Sequence, residues 1–209
     1  MRCIKIINNE IGGGGSSSSS LKQLLPTELL DTDNSFLYNG LNITLSADYQ
    51  NDNGNLNASI NGACNEYNYI WHTSNFSFPH FYQVDFGTEV NISKVCFNPV
   101  NDNISCLIRE YNIQFSSDGI NFKNIYSQNQ IYDPSKGIMG YITADPINQY
   151  YEDCINEFKS IKTRYIKINI YNSYDHRGYS WTGFCNLRIY GKLDDKVFLD
   201  KNNYIYGVG

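Results

Sequence analysis

The sequence is poor in charge. Only 18% of residues are charged, and 16 Lys and Arg stand against 21 Asp and Glu, for a net charge of −5. Basic residues never form a run of more than two. A protein that grips nucleic-acid phosphates or anionic lipid needs clustered cations, so both partners are disfavoured. Long apolar runs are also missing, since no stretch approaches the roughly 20 apolar residues that cross a bilayer. The amino terminus, MRCIKIINNEIGGGG, is broken by Lys5 and by two Asn and does not read as a secretory signal. Six cysteines (Cys3, Cys64, Cys96, Cys106, Cys154, Cys185) contain no CxxC pair, which argues against structural zinc and against a small disulfide-framework domain. The expectation is a cytoplasmic protein with reduced thiols, leaving only export by a non-standard route. Sequons at Asn42, Asn57, Asn75, Asn91 and Asn103 carry little weight in so Asn-rich a chain. Catalytic signatures are lacking too. There is no GxSxG and no HExxH, and Gly12–Gly15 has neither the Lys nor the flanking strand of a phosphate loop. The chain does not read as an enzyme, and no motif calls for an organic cofactor.

What is present is apolar and aromatic. Hydrophobic residues make up 41% of the 209 residues, with 18 Tyr and 11 Phe. Such a chain can build a core and leans towards strands. Residues 1–20 end in Gly12–Gly15 and Ser16–Ser20, a low-complexity segment with little apolar surface to bury. Residues 21–40 form a lead-in whose paired leucines suggest a short helix from Pro26 or Thr27, packed outside the main domain. From Leu41 to Gly191, short β-branched and aromatic runs alternate with Asn, Asp, Gly and Ser clusters. Strands are expected near 41–47, 81–86, 92–98, 108–116, 122–126, 140–143, 164–171 and 184–190. Ser117-Asp118-Gly119 reads as a hairpin turn. The segment from Glu152 to Thr163 reads as a loop, and 192–209 as either a loose tail or an edge strand at Tyr204–Tyr206. Short strands at this spacing indicate a two-sheet sandwich or jelly roll.

Six blocks within 41–191 resemble, in order, the landmarks of the discoidin domain, also called the coagulation factor V/VIII type C domain. They are Ile43–Ala47, the Trp71-His72-Thr73 segment, Pro79–Gly87 (PHFYQVDFG), Tyr111–Gly119 with Phe122, Thr163–Ile168, and Leu187–Gly191. The resemblance implies an all-β, eight-stranded antiparallel jelly-roll β-sandwich of the galactose-binding-like type. It is closest to the carbohydrate-binding modules of that superfamily and to the slime-mould lectins. Trp71 is expected in the core, Asp85 to accept backbone hydrogen bonds, and Arg164-Tyr165 to be structural.

In the sugar-binding members, ligands sit on loops at one end of the sandwich. An aromatic ring covers the apolar face of a pyranose, and fixed donors and acceptors read its hydroxyls. Here those loops are rich in such groups. Tyr69 and His72 belong to the loop before and around Trp71, and Tyr174, Arg177, Tyr179 and Trp181 to the loop YNSYDHRGYSWTGF. The structural alternative is that these rings only plug the end of the sandwich. Two positions depart from the family pattern: Val100 follows Pro99 where an Arg is common, and Ser105-Cys106 stands for Asn-Gly. Arg109 and Arg177 are the available substitutes. The family's structural calcium would fall on Asn61 and Asn186, with Glu66 as a compensating carboxylate; losing two acidic ligands leaves at most a weak site. The function implied is a non-catalytic lectin-like module for galactose-type glycans or glycoproteins. A protein-interaction module with a degenerate sugar pocket is the alternative. Cell adhesion would require oligomerisation, because one shallow site binds weakly.

Overall fold

The computed structural model describes residues 21–27, 34–48, 56–60, 71–73, 78–99, 108–125, 140–141, 154–173 and 182–193. Among these the chain is built from strands: β1 (Lys22–Gln23), β2 (Ser35–Tyr38), β3 (Leu41–Ala47), β4 (Trp71–His72), β5 (His80–Pro99), β6 (Ile108–Ser116), β7 (Lys123–Ile125), β8 (Gly140–Tyr141), β9 (Cys154–Ser173) and β10 (Gly183–Lys192), with a 3₁₀ turn at Leu56–Ser59. No described helix is long and apolar enough to cross a membrane.

Alternation explains the strands. In β3, Leu41, Ile43 and Leu45 are buried while Asn42 and Thr44 face out; in β9, Ile166, Ile168 and Ile170 do the burying. β2 turns into β3 through Asn39-Gly40, both at positive φ (50° and 77°), the geometry of the tight turn that suits twisted strands. Gly119, at φ 74°, does the same work after Asp118. Its missing Cβ also leaves room for the Tyr165 ring, which a side chain would meet at 3.0 Å.

All pairings are antiparallel. The architecture is the expected jelly roll. Ten strands take part instead of eight because β1, β2 and β4 are added, while the expected 81–86 and 92–98 join into one β5. β5 and β9, each of 20 residues, run the length of the molecule side by side. Their register shifts between Asp85↔Tyr165 and Val90↔Thr163, and the pair bends there. Before the bend, β5 pairs with β3; after it, with β10. One pair of strands thus serves both layers of the sandwich.

Three expectations need correction. The stretches 81–86 and 92–98 are not separate strands but one continuous β5. Cys154–Thr163, expected as a loop, is the first half of β9. Its alternation was disguised by buried polar residues: Cys154, Asn156 and Phe158 point inward, and Asn156 is satisfied by the Tyr111 hydroxyl and by Val95 and Cys154 carbonyls. The lead-in does not pack outside the domain. Leu24 and Leu25 are fully buried, β1 pairs with β10, and the Leu24 N–H donates to the Ile189 carbonyl at 2.7 Å. The helix beyond Thr27, the segment 1–20 and the strand at Tyr204–Tyr206 lie outside the described residues.

Candidate functional site

The two layers close on each other at one end through stacked rings. Trp71 meets Tyr82 at 5.1 Å and Phe184 at 5.0 Å, and Phe97 meets Tyr111 and Phe184 at 5.2 Å each. All five rings are fully buried. Edge-on and tilted contacts of this kind are the favourable arrangement for aromatic quadrupoles. The 3₁₀ turn caps the cluster. Ser59 Oγ donates to the Tyr82 hydroxyl at 2.6 Å, the Tyr82 hydroxyl in turn donates to the Leu56 carbonyl at 3.1 Å, and Ser59 Oγ lies 2.8 Å from the same carbonyl. Burial pushes the Tyr82 phenol well above its ordinary value, with the Ser59 bond offsetting part of the rise. Tyr82 is therefore a neutral structural hydroxyl.

Above this floor the roots of three loops stand together. Segment 61–70 ends at Trp71, 100–107 begins after Pro99, and 174–181 connects Ser173 to Thr182. The register joins them: His72 pairs with Gly183, Phe184 with both Trp71 and Pro99, and Ser173 with Ile108. The Thr73 N–H donates to the Thr182 carbonyl at 2.8 Å, and the Thr182 N–H reaches Thr73 Oγ1 at 3.3 Å. The strand termini that flank these segments are thereby tied to one another.

A polar pair sits on the same end. His80 Nδ1 lies 2.9 Å from Asp48 Oδ2, and the Phe81 N–H donates to Asp48 Oδ1. Burial would raise the Asp48 carboxyl, but these contacts outweigh it and hold the group below the usual carboxylate range. His80 is 1% exposed, and its Nε2 has no hydrogen-bond partner among the described residues.

Of the expected sugar-binding residues, His72 lies in β4 at the loop roots, though its side chain is not among those described. Tyr69, Tyr174, Arg177, Tyr179 and Trp181 lie outside the described residues, as do Val100 and Ser105. Of the calcium set, Asn61 and Glu66 lie outside them as well. Asn186 is described, in left-handed conformation at φ 51°. Its Nδ2 donates to Asn98 Oδ1 at 2.7 Å, and its carbonyl accepts from Arg188 Nε at 3.3 Å. Asn98 and Arg188 thus engage the Asn186 amide and carbonyl. Trp71, Asp85 and Arg164 are core and structural residues, as expected. Asp85 takes a bidentate bond from Arg164 (2.8 and 2.9 Å) and the Gly87 N–H at 2.7 Å.

Sequence reasoning missed His80 and Asp48 and the ring floor beyond Trp71. The signal for the floor was parity: Tyr82 shares a face of β5 with Val84 and Phe86. The reduced-thiol expectation fails for Cys185, which is disulfide-bonded to a partner outside the described residues; Cys96 and Cys154 are buried thiols.

Comparison with solved structures returns the same fold in sugar-binding modules. CpGH89CBM32-5 from Clostridium perfringens, in complex with GalNAc-β-1,3-galactose, superposes with a TM-score of 0.53 at 18% identity, over 70% of this chain and 94% of that one. The family 32 carbohydrate-binding module of C. perfringens NanJ, in complex with galactose, gives 0.53 at 18%, over 71% and 93%. A Streptococcus pneumoniae fucose binding module gives 0.53 at 14%, over 75% and 96%. No curated protein matches the sequence. The family comparison places the F5/8 type C domain on residues 42–185, the span that contains the bent β5–β9 pair, the ring floor and all three loop roots, and the chain belongs to that family.

Proposed function

We propose that this chain is a non-catalytic carbohydrate-binding module that holds galactose-type glycans, free or on glycoproteins, at the loop end of the sandwich. The observation that carries the reading is the convergence of three loop roots over a fully buried aromatic floor, in a fold shared with modules solved with galactose and GalNAc-β-1,3-galactose. In this reading Trp181, Tyr179 and Tyr174 supply stacking faces, and His72, Tyr69 and Arg177 supply hydrogen bonds to the hydroxyls. Arg177 and Arg109 are the cations available where Val100 stands in place of the common Arg. A carbohydrate site needs only such shape and hydrogen bonding, without a nucleophile or metal. Binding therefore proceeds without calcium.

The departures at Val100 and Ser105-Cys106 favour a second reading, a protein-interaction module built on the same loops. A glycan-array screen of the full chain decides between them, with Trp181→Ala alongside. Retention on terminal-galactose glycans that the substitution abolishes is the expected result. A folded protein that retains no glycan overturns the sugar reading and leaves the protein-interaction module.

A further inference from the structure

The outer face of the layer containing β6, β7, β9 and the first half of β5 has its own chemistry. Across the sheet, Gln83, Lys167, Gln114 and Asn124 stand in one register row, and Phe81, Asn169 and Asn112 in the next. These residues alternate with Ile166, Ile168 and Ile170, which point into the core, so the two rows face outward. Phe81 and Phe122 are half-buried, and Tyr171 is 36% exposed.

The amides bind one another in a closed pattern. Asn169 Nδ2 donates to Asn112 Oδ1 (2.8 Å) and Gln114 Oε1 (2.9 Å). Asn112 Nδ2 and Gln114 Nε2 both donate to Asn124 Oδ1 (3.1 and 2.9 Å), and Asn112 Nδ2 also donates to the Tyr171 hydroxyl (3.1 Å). Flipping any one amide would set donor against donor or acceptor against acceptor, so the network fixes every orientation. Asn112, 2% exposed, is its buried anchor.

What the network leaves over is a surplus of donors. The Asn124 NH₂ and the Tyr171 O–H have no acceptor among the described residues, and the Asn169 Oδ1 has no donor. At the centre, the Lys167 ammonium lies 3.8 Å from the Phe122 ring centroid and 5.0 Å from that of Phe81. No carboxylate among the described residues pairs with it, in a chain carrying 21 acids. Burial among these groups lowers its pKa, because the charged form is partly desolvated. A solvated sheet face ordinarily carries interspersed charges of both signs. This one presents one cation, fixed donors and aromatic rings, a combination that suits a ligand with apolar faces, many oxygens and negative charge.

We infer that this face is a second binding surface, distinct from the loop end, that takes a carboxylate-bearing oligosaccharide. The acid lies against Lys167, its hydroxyl and ring oxygens accept from Asn124 and Tyr171, and a sugar ring packs on Phe122 or Phe81. The surface is independent of the proposed galactose site.

Titration of the full chain with oligogalacturonate, against a neutral galacto-oligosaccharide of equal length, tests it. Lys167→Met keeps an apolar stem between the rings, and Asn124→Asp keeps the accepting oxygen of the network while replacing the outward NH₂ with negative charge. The expected result is that wild type binds the acidic oligomer, more weakly as salt rises, and that each variant loses about tenfold in affinity with its melting temperature kept. Trp181→Ala leaves this binding unchanged. No binding by the folded wild type, binding indifferent to both variants, equal binding of the neutral oligomer, or loss in Trp181→Ala each overturns the inference. None of these outcomes bears on the glycan-array result.

Discussion

The two ends of the sandwich are built on opposite principles. At the loop end the layers meet through five buried rings, Trp71, Tyr82, Phe97, Tyr111 and Phe184, and polar chemistry is left to the loops above them. At the bent end neighbouring strands and the 116–121 turn are held by polar bonds. Arg164 clamps Asp85, Thr163 Oγ1 donates to the Ser116 carbonyl, and Asp118 accepts the N–H groups of Ile120 and Asn121 and the Ser116 hydroxyl. The Asn121 backbone bond leads the contacts that hold the Asp118 carboxyl well below the carboxylate range. Asp85, Arg164 and Asp118 at the bent end are all spent on the protein itself. At the loop end the described polar bonds end at the strand termini that flank segments 61–70, 100–107 and 174–181. Short turns with committed polar groups make a frame, and loops on a rigid apolar floor make a site.

The contrast can be broken at either end. Removing a ring from the floor is expected to cost most: Trp71→Ala leaves a cavity beside the Tyr82 and Phe184 rings and should destabilise the protein by about 3–5 kcal/mol in urea unfolding. A loss below about 1 kcal/mol would show that the floor is not a packed core. At the bent end, Asp85→Ala strands the Arg164 guanidinium and the Gly87 N–H. The Arg164 side chain is 39% exposed and that of Asp85 20%, so solvent screens the pair and the expected loss is about 1–2 kcal/mol.

The same carboxylates set the acid response. Burial raises the carboxyls of Asp85 and Asp48, but the bonds from Arg164 and Gly87, and from His80 and Phe81, more than reverse this, so both folded values lie below the ordinary one. Their stabilisation is complete above the unfolded carboxylate pKa, about 4, and is lost as pH falls through the lower folded values. Melting temperature should fall below about pH 4, and Asp85→Asn should flatten that slope. A slope unchanged in Asp85→Asn would remove the Arg164 clamp from the account. The smallest effect expected is that of chelation. With Asn186 engaged by Asn98 and beside Arg188, EDTA should leave the melting temperature unchanged, whereas a clear fall would reveal calcium ligands on the loops.

The frame was legible where apolar alternation is clean. Leu41-Asn42-Ile43-Thr44-Leu45 and the Ile166, Ile168, Ile170 set declare their faces outright, and Asp118-Gly119 declares its turn. Cys154–Thr163 was not legible, because Asn156 and Thr163 occupy inward positions and a buried, bonded polar side chain looks like loop chemistry in sequence. Leu24-Leu25 misled for the opposite reason: adjacent leucines next to Pro26 suggest a helix, and only the pairing of β1 with β10 shows them entering the core. The sequence pointed to a candidate site on segments that lie outside the described residues. Its floor was not legible, because Phe97 and Phe184 are brought together from strands 87 residues apart in the chain by a register that no local pattern encodes. The outer amide network was hidden likewise, its members lying on three strands.

The most direct test of the central claim is an NMR titration of the labelled protein with a terminal-galactose oligosaccharide. The account predicts backbone shifts concentrated at the loop roots, His72, Thr73, Asn98, Thr182 and Gly183, with Lys167 and the Asp85–Arg164 corner unmoved. Shifts confined to the corner or the outer sheet face, or no shift at saturating sugar, would contradict it.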